Sequence, residues 1–364
     1  MIMQAEWISF LLEAGAQLDG AGIPDFLPED GKDEAGSPGY SFMTALSGYS
    51  ILKISGNDAG AFLHAQLSND VRRLEPGSIG MGSWCNTQGR MLMNFYLIRN
   101  EDHFFLILRS GLKDKVIKRL TKYILRSSVS IEDMDHELAL AGISCSTGEE
   151  RVEPILGSPA PAMHTSILHQ GLRVSRVGDA GSHRYLILGT IREMKSFWGR
   201  AAGKLRPEPR ESWKLQDILD GLGWVDENNT EQFLPVEFNL DYLGGVSYGK
   251  GCYPGQEILA RIRHRGRVKK RLYLAHLKNG TLPQSGEDLT ADGDPHHIGC
   301  IIEAASIPGS RYAVLAVVDC ELVRNKPVYT VHDRRLLEFI PLPYTRGPDE
   351  DSGGKSEASK PWRG

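Results

Sequence analysis

Lys250-Gly251-Cys252-Tyr253-Pro254-Gly255-Gln256-Glu257-Ile258-Leu259-Ala260-Arg261 is the stretch on which the reading of this chain turns. Gly249, Gly251 and Gly255 allow unusual backbone angles and close approach of another group. Pro254 suits the first turn of a helix. Ile258, Leu259 and Ile262 make an apolar stripe, and Gly266 suits the stop. Cys252 therefore falls just ahead of a helix N-terminus. Unpaired N–H groups and the helix dipole favour a thiolate there. Lys250 and Arg261 would add to this if they fold towards the sulfur. A reactive or ligand-binding thiol is one reading of Cys252; a buried, inert cysteine is the other.

Basic residues follow. Arg261, Arg263, Arg265, Arg267 and Lys269 alternate, and Lys270 and Arg271 come next. On a strand the alternating set would share one face; on a helix it would spread. The patch suits RNA phosphate or the glutamate tail of a folate. A solvated, charged edge strand is the plain alternative.

The rest of the chain reads as an α+β protein. Ile51–Ile54, Met81–Cys85, Met91–Ile98 and Phe104–Leu108 read as strands. Asn57 or Asp58 caps a helix through Phe62, Leu63 and Leu67, and Ser110 caps one through Leu112, Val116, Leu120, Tyr123 and Ile124. Leu138–Ile143, Leu172–Val177 and Tyr185–Leu188 repeat the rhythm, with helices at Ile191–Ala202 and Glu211–Leu219. After Arg271, short strands at Leu272–Leu277, Gly299–Ala304 and Ala313–Val318 suggest a small β-barrel or sandwich. Trp7–Ala16 reads as a short amphipathic helix, Gly20–Gly39 as a mobile linker, and the tail after Tyr344 as disordered.

Composition narrows the classes. A chain of 364 residues with 41% hydrophobic residues holds two or three ordinary cores. The net charge of −4 excludes a globally basic nucleic-acid binder. Cys85, Cys145, Cys252, Cys300 and Cys320 are odd in number and form no CxxC pair, against a disulfide framework or a Cys-based zinc site. His296-His297 lacks a third ligand at suitable spacing, so no metal is expected. No secretory signal and no membrane-length apolar run are visible, and a cytoplasmic location is expected. A thiol hydrolase pairing Cys252 with His264 lacks a nearby orienting residue.

The motif resembles the signature of the YgfZ group of folate-binding proteins, K-G-C-Y-x-G-Q-E followed by an arginine. Lys250, Gly251, Cys252, Tyr253, Gly255, Gln256, Glu257 and Arg261 match every fixed position. Gln232–Pro235, Asn239-Leu240 and Leu243–Ser247 resemble the family's approach to the motif. Phe62-Leu63, Gln66-Leu67 and Asn69-Asp70-Val71 resemble its first-helix pattern, and Pro341–Tyr344 its closing segment. The resemblance runs from about Ser50 to Tyr344.

It implies a three-domain ring shared with the glycine-cleavage aminomethyltransferase, with a ferredoxin-like second domain and a C-terminal β-barrel. The boundaries expected are 1–45 for an N-terminal extension, 46–136 with 206–268 for a discontinuous folate-binding domain, 137–205, 269–344, and a tail at 345–364. It implies tetrahydrofolate or a derivative as cofactor, with Asn69, Asp70, Asn94, Asp217, Asp220, Gly251 and Gly255 in its site. It implies a role in iron–sulfur protein assembly or maintenance acting through Cys252, with tRNA-methylthiolating enzymes among the partners. A one-carbon transferase and a tRNA-binding module are the alternatives. The aminomethyltransferase has an Asp-Asp pair after a Gly-Gly turn. Here the turn is Gly89-Arg90 and the pair falls on Met93 and Asn94. Relatives place a pterin-binding glutamate where this chain has Leu219, with Asp217 and Asp220 beside it.

Overall fold

The computed structural model describes residues 2–28, 40–145, 149–178, 182–292 and 296–344. The tail beyond Tyr344, and 29–39 of the expected linker, lie outside the described residues. The fold is α+β. The chain divides into two compact units, each assembled from separated segments: Met1–Ala59, Leu74–Gly80 and Tyr96–Lys214 in the first, Gly60–Arg73, Met81–Phe95 and Leu215–Gly364 in the second.

The first unit contains a six-stranded sheet in the order Ser166–His169, Leu172–Gly178, His183–Thr190, Leu138–Cys145, Phe42–Ala45, Arg206–Pro207. Its pairs are antiparallel except the last, which is parallel. The helix Ile191–Ala201 starts on a capping box: Thr190 Oγ1 accepts from the Glu193 N–H while the Glu193 carboxylate accepts from the Thr190 N–H. Its Ile191, Met194, Phe197, Trp198 and Ala201 are buried, as the period requires.

The N-terminal helix spans Ile2–Glu13, earlier than the Trp7–Ala16 expected, and Gly15 ends it at φ +102°. Part of the expected linker is ordered. Pro24–Asp25 pairs with Gln17–Leu18, and Phe26 stacks on Trp198 at 5.6 Å. Burying that ring fixes the segment.

A second sheet has the order Ile79–Cys85, Met91–Arg99, His103–Arg109, Tyr49–Ser55, Ser130–Asp133. Ser110 does not cap the next helix. It opens a 3-10 turn, and the α-helix Lys113–Leu120 follows without a side-chain cap. Val116 and Leu120 are buried, whereas Tyr123 is exposed.

In the second unit six antiparallel strands form one curled sheet, in the order Val328–Thr330, Asp288–Ala291, Gly299–Ile307, Arg311–Asp319, Lys270–Lys278, Glu338–Ile340. A bulge between Ile301 and Glu303 shifts its register. Leu277, Leu289, Ile301, Val314, Ala316 and Val318 fill its core. The same unit holds the helix Ala59–Gln66 from Gly60 onward, the turn at 86–89 and the loop carrying Cys252.

Candidate functional site

The site is built from four pieces of the second unit: the end of the helix Ala59–Gln66, the turn Asn86–Gly89, the loop 245–255 and the helix Gln256–Arg265. Ser68 laces the loop down. Its Oγ donates to Gly245 O (2.6 Å) and accepts from the Ser83 N–H (2.9 Å), and its carbonyl accepts from the Ser247 N–H (2.8 Å).

Lys250 fixes the next point. It is 8% exposed, and its Nζ donates to His64 O, to Leu67 O (2.6 Å) and to Asn69 O (3.1 Å). Those carbonyls close the C-terminal end of the helix, where backbone acceptors are otherwise unpaired. The ammonium also lies 4.7 Å over the Tyr253 ring. Burial pulls its pKa down to about 8, with Asp70 acting against the shift and Arg72 with it. All three donors are engaged, so Lys250 is a clamp for the loop and not a free charge for the sulfur.

Tyr253 is buried and its hydroxyl donates to Ser247 O (3.4 Å). Gln256 Nε2 reaches back to Lys250 O (3.1 Å), closing the loop over Gly251–Gly255. Only one of the three motif glycines needs its lack of a side chain for backbone reasons. Gly255 has φ +82°, and a Cβ there would stand 2.5 Å from Gly89 Cα and 2.8 Å from Asn86 O. Gly249 has open space around it, and Gly251 would meet only His64 Nε2, at 3.9 Å. Gly255 is the N-cap, so Pro254 precedes the helix instead of starting it. Leu259 is fully buried, but Ile258 is 37% exposed, so the apolar stripe is narrower than its spacing predicts.

Cys252 is exposed, four residues before the first helical residue. Cys85, Cys145 and Cys320 are buried, and Cys300 is half-buried. Burial pushes the Cys85 thiol up to about 12 and the Cys145 thiol up to about 11, which leaves both inert near neutral pH. Glu257 and Arg261 are exposed on the helix beyond.

The residues expected to hold a cofactor fall into two groups. Asn69 is 4% exposed, and its Oδ1 finds no partner among the described residues. Gly82 makes room for it: a Cβ there would stand 2.6 Å from that oxygen and 2.8 Å from the Phe95 ring. Asp70 is half-buried beside His64 Nδ1 (3.2 Å) and Arg73 Nε (3.3 Å).

Asn94 and Asp217 make up the second group with Asp220. Asn94 is fully buried, its Nδ2 donates to Gly223 O (2.8 Å), and its Oδ1 accepts from the Val225 N–H (2.8 Å). Both ends bond backbone, so it shapes the 223–225 segment. Asp217 is likewise buried and accepts from Trp224 Nε1 (2.9 Å). Asp220 is buried, and Leu219 is half-buried between them in sequence.

The basic run does not form one face. Arg261 and Arg263 are exposed on the helix that also contains Arg265, Arg267 and Lys269 are exposed in the loop after it, and half-buried Lys270 begins a strand. Arg263 lies 4.2 Å over the Tyr248 ring. Arg271 leaves the set. It is 7% exposed and bidentate to Asp241, with bonds of 3.0 Å from NH1 and 3.0 Å from NH2, and NH1 also donates to Val236 O (3.0 Å). A guanidinium whose charge is compensated in the interior is not available to phosphate.

His64 is a site residue that the sequence did not flag. It lies in the interior between Asp70 and Gly251, and burial, then Lys250 and Arg72, hold its pKa below the usual imidazole value. Its only sequence signal is its place in the Phe62–Val71 pattern. His264 is exposed on the helix Gln256–Arg265. His297 pairs with Asp288 (3.5 Å), and no group of metal-ligating side chains forms among the described residues. No helix among them is long and apolar enough to cross a membrane.

Residues 42–158 match the family model of the GCVT N-terminal domain. The loop carrying Cys252 lies outside that match. The glycine cleavage system aminomethyltransferase T from Bartonella henselae superposes with a TM-score of 0.77 at 16% identity, over 93% of this chain and 96% of that one. The heterotetrameric sarcosine oxidase from Corynebacterium sp. U-96 aligns far more loosely, with a TM-score of 0.27 at 14% identity over 45% of this chain and 84% of that one. The chain thus carries a GCVT N-terminal domain match and shares the fold of the aminomethyltransferase.

Proposed function

We propose that this protein is a folate-binding accessory factor for iron–sulfur proteins that works through the Cys252 thiol. One observation carries the reading: the motif loop is a rigid mount, held by Lys250, Gln256 and Gly255, for the one exposed cysteine of the chain. The motif's resemblance to the YgfZ group supplies the iron–sulfur context and tRNA-methylthiolating enzymes as clients.

The residues present fit a folate. Among the described residues Asn69 Oδ1 is a buried acceptor without a partner, and leaving such an atom unpaired costs about 1–3 kcal/mol. A pterin ring offers N–H donors that would satisfy it. Bound tetrahydrofolate would bring a carrier nitrogen for one-carbon units.

Aminomethyl transfer is disfavoured by the site itself. Met93 and Asn94 are fully buried where the aminomethyltransferase carries its carboxylate pair, and the Asn94 amide is spent on backbone. No carboxylate stands there to steer a proton.

Anaerobic calorimetric titration with tetrahydrofolate tests the binding, with saturation near one to one expected and a roughly tenfold weaker Kd for Asn69→Leu, the loss of about 1.4 kcal/mol. Complementation of a deletion strain tests the thiol. Cys252→Ala is expected to fail while remaining folded; full complementation would sink the reading.

A second reading, tRNA binding, is favoured by the exposure of Arg261, Arg263, Arg267 and Lys269 on consecutive elements. It requires an affinity that falls steeply with salt. No shift of tRNA at low salt would remove it.

A further inference from the structure

We infer that the end of the helix Lys113–Leu120 and the turn after it form a docking surface for an anionic lipid bilayer. Leu125 is the side chain that enters the apolar layer, and Lys118, Lys122 and Arg126 are the cations that meet the headgroups. The surface belongs to the first unit and stands apart from the reading of Cys252.

Charge sets the sign of the partner. Residues 113–126 carry six cations, Lys113, Lys115, Lys118, Arg119, Lys122 and Arg126, against the single carboxylate of Asp114, in a chain whose net charge is −4. Lys113 is spent inside the unit, its Nζ 2.7 Å from Asp133 Oδ2 and 2.7 Å from Asp135 Oδ2. Lys118, Lys122 and Arg126 are exposed and make no ion pair among the described residues. Helical angles persist through the 3-10 turn Thr121–Tyr123 to Ile124, at φ −63° and ψ −39°. Lys115, Lys118 and Lys122 therefore recur at three- and four-residue steps along one side, while Val116 and Leu120 are buried on the other. The helix dipole accounts for Lys118 and Arg119 in the last turn, but Lys122 and Arg126 lie beyond it.

Leu125 decides what kind of anion fits. It is 88% exposed, the most exposed large apolar side chain among the described residues, and its φ is +47°. Left-handed backbone after a helix is the place of glycine or asparagine, and a leucine there is strained. The residue is thus unfavourable twice, as backbone and as hydrocarbon in water, and neither serves the fold. Tyr123, 46% exposed, stands two residues before it. An aliphatic tip and a phenol among cations suit a bilayer interface. The tip passes below the headgroups, the phenol stays at their level, and the Lys and Arg stems reach back to phosphate. A nucleic acid would use the cations and the ring but has no apolar layer to receive the leucine. No helix among the described residues is long and apolar enough to span, so this attachment is peripheral and reversible.

The test is co-sedimentation of the full chain with vesicles of phosphatidylcholine alone and of equal parts phosphatidylcholine and phosphatidylserine. The wild type is expected to bind the mixed vesicles, to ignore the neutral ones, and to be released as salt is raised. Each cation near an anionic surface contributes about fivefold, so the triple variant Lys118→Gln, Lys122→Gln, Arg126→Gln is expected to bind about a hundredfold more weakly. Leu125→Gly separates docking from structure. Glycine relieves the backbone, so the melting temperature is expected to hold or rise, while vesicle binding falls about tenfold. No binding of the wild type to mixed vesicles at low salt would overturn the inference. So would equal binding by the triple variant, or by Leu125→Gly. A mobility shift of tRNA that the triple variant loses, without vesicle binding, would overturn it too and assign the cations to nucleic acid.

Discussion

Lys250 shows how one buried charge fixes a working loop. A free ammonium in the interior would cost several kcal/mol, and here three backbone carbonyls accept from it. Its folded pKa of about 8 lies below the ordinary lysine value of 10.5. Between those values the unfolded chain holds more protons than the folded one, so stability gains from this residue as pH rises through the window. Urea unfolding of the wild type at pH 7.5 and 10 is expected to show it relative to Lys250→Met, and equal pH slopes for the two would refute it. Arg271 is the second such residue. Arg271→Met should cost about 3–5 kcal/mol by stranding Asp241, and Arg271→Lys should restore little, because an ammonium cannot replace the bidentate fork.

At the scale of elements, the turn Asn86–Gly89 and the start of the helix Gln256–Arg265 lie backbone to backbone. Gly255→Ala is expected to cost about 2 kcal/mol or more, since φ is +82° and the new Cβ would meet main chain on two sides. Gly249→Ala is the matched control. Nothing lies within 4 Å of its Cβ position, and its melting temperature should stay within a degree or two of wild type.

The elements themselves were largely legible. Apolar runs marked Met91–Arg99 and Arg311–Asp319, which are buried along almost their whole length, and the helix Ile191–Ala201 buries five of its apolar residues against the core. What failed was local punctuation. Ser110 has the chemistry of a cap, yet the chain spends a 3-10 turn there before the α-helix begins. Pro254 has the φ of a first helical residue, yet Gly255 takes the cap.

On the scale of the whole molecule, the first unit draws its core from the chain's N-terminal part. Trp7, Leu11, Ala16 and Phe26 are buried with Ile187, Phe197 and Trp198. Deleting residues 1–28 should therefore expose Trp198, each lost apolar side chain removing about 1.5–3 kcal/mol. Scanning calorimetry is expected to show a transition lowered by ten degrees or more; an unchanged trace would show that these contacts contribute nothing. The sequence suggested a mobile linker here because Gly, Pro and acidic residues dominate it, and a single aromatic stacking on a distant helix leaves no local period. The candidate site was legible for a similar reason in part only. Cys252 stands out by its motif, but the acceptors of Lys250 are main-chain carbonyls, which no residue name records, and His64 meets Gly251 only once the helix has ended and the chain has turned. The exposure of Cys252, where three other thiols are buried and Cys300 is half-buried, has a practical side as well. A maleimide dye or spin label should attach at this position first in the native sequence, ahead of half-buried Cys300, and its anisotropy or line shape would then report directly on how firmly the loop is held.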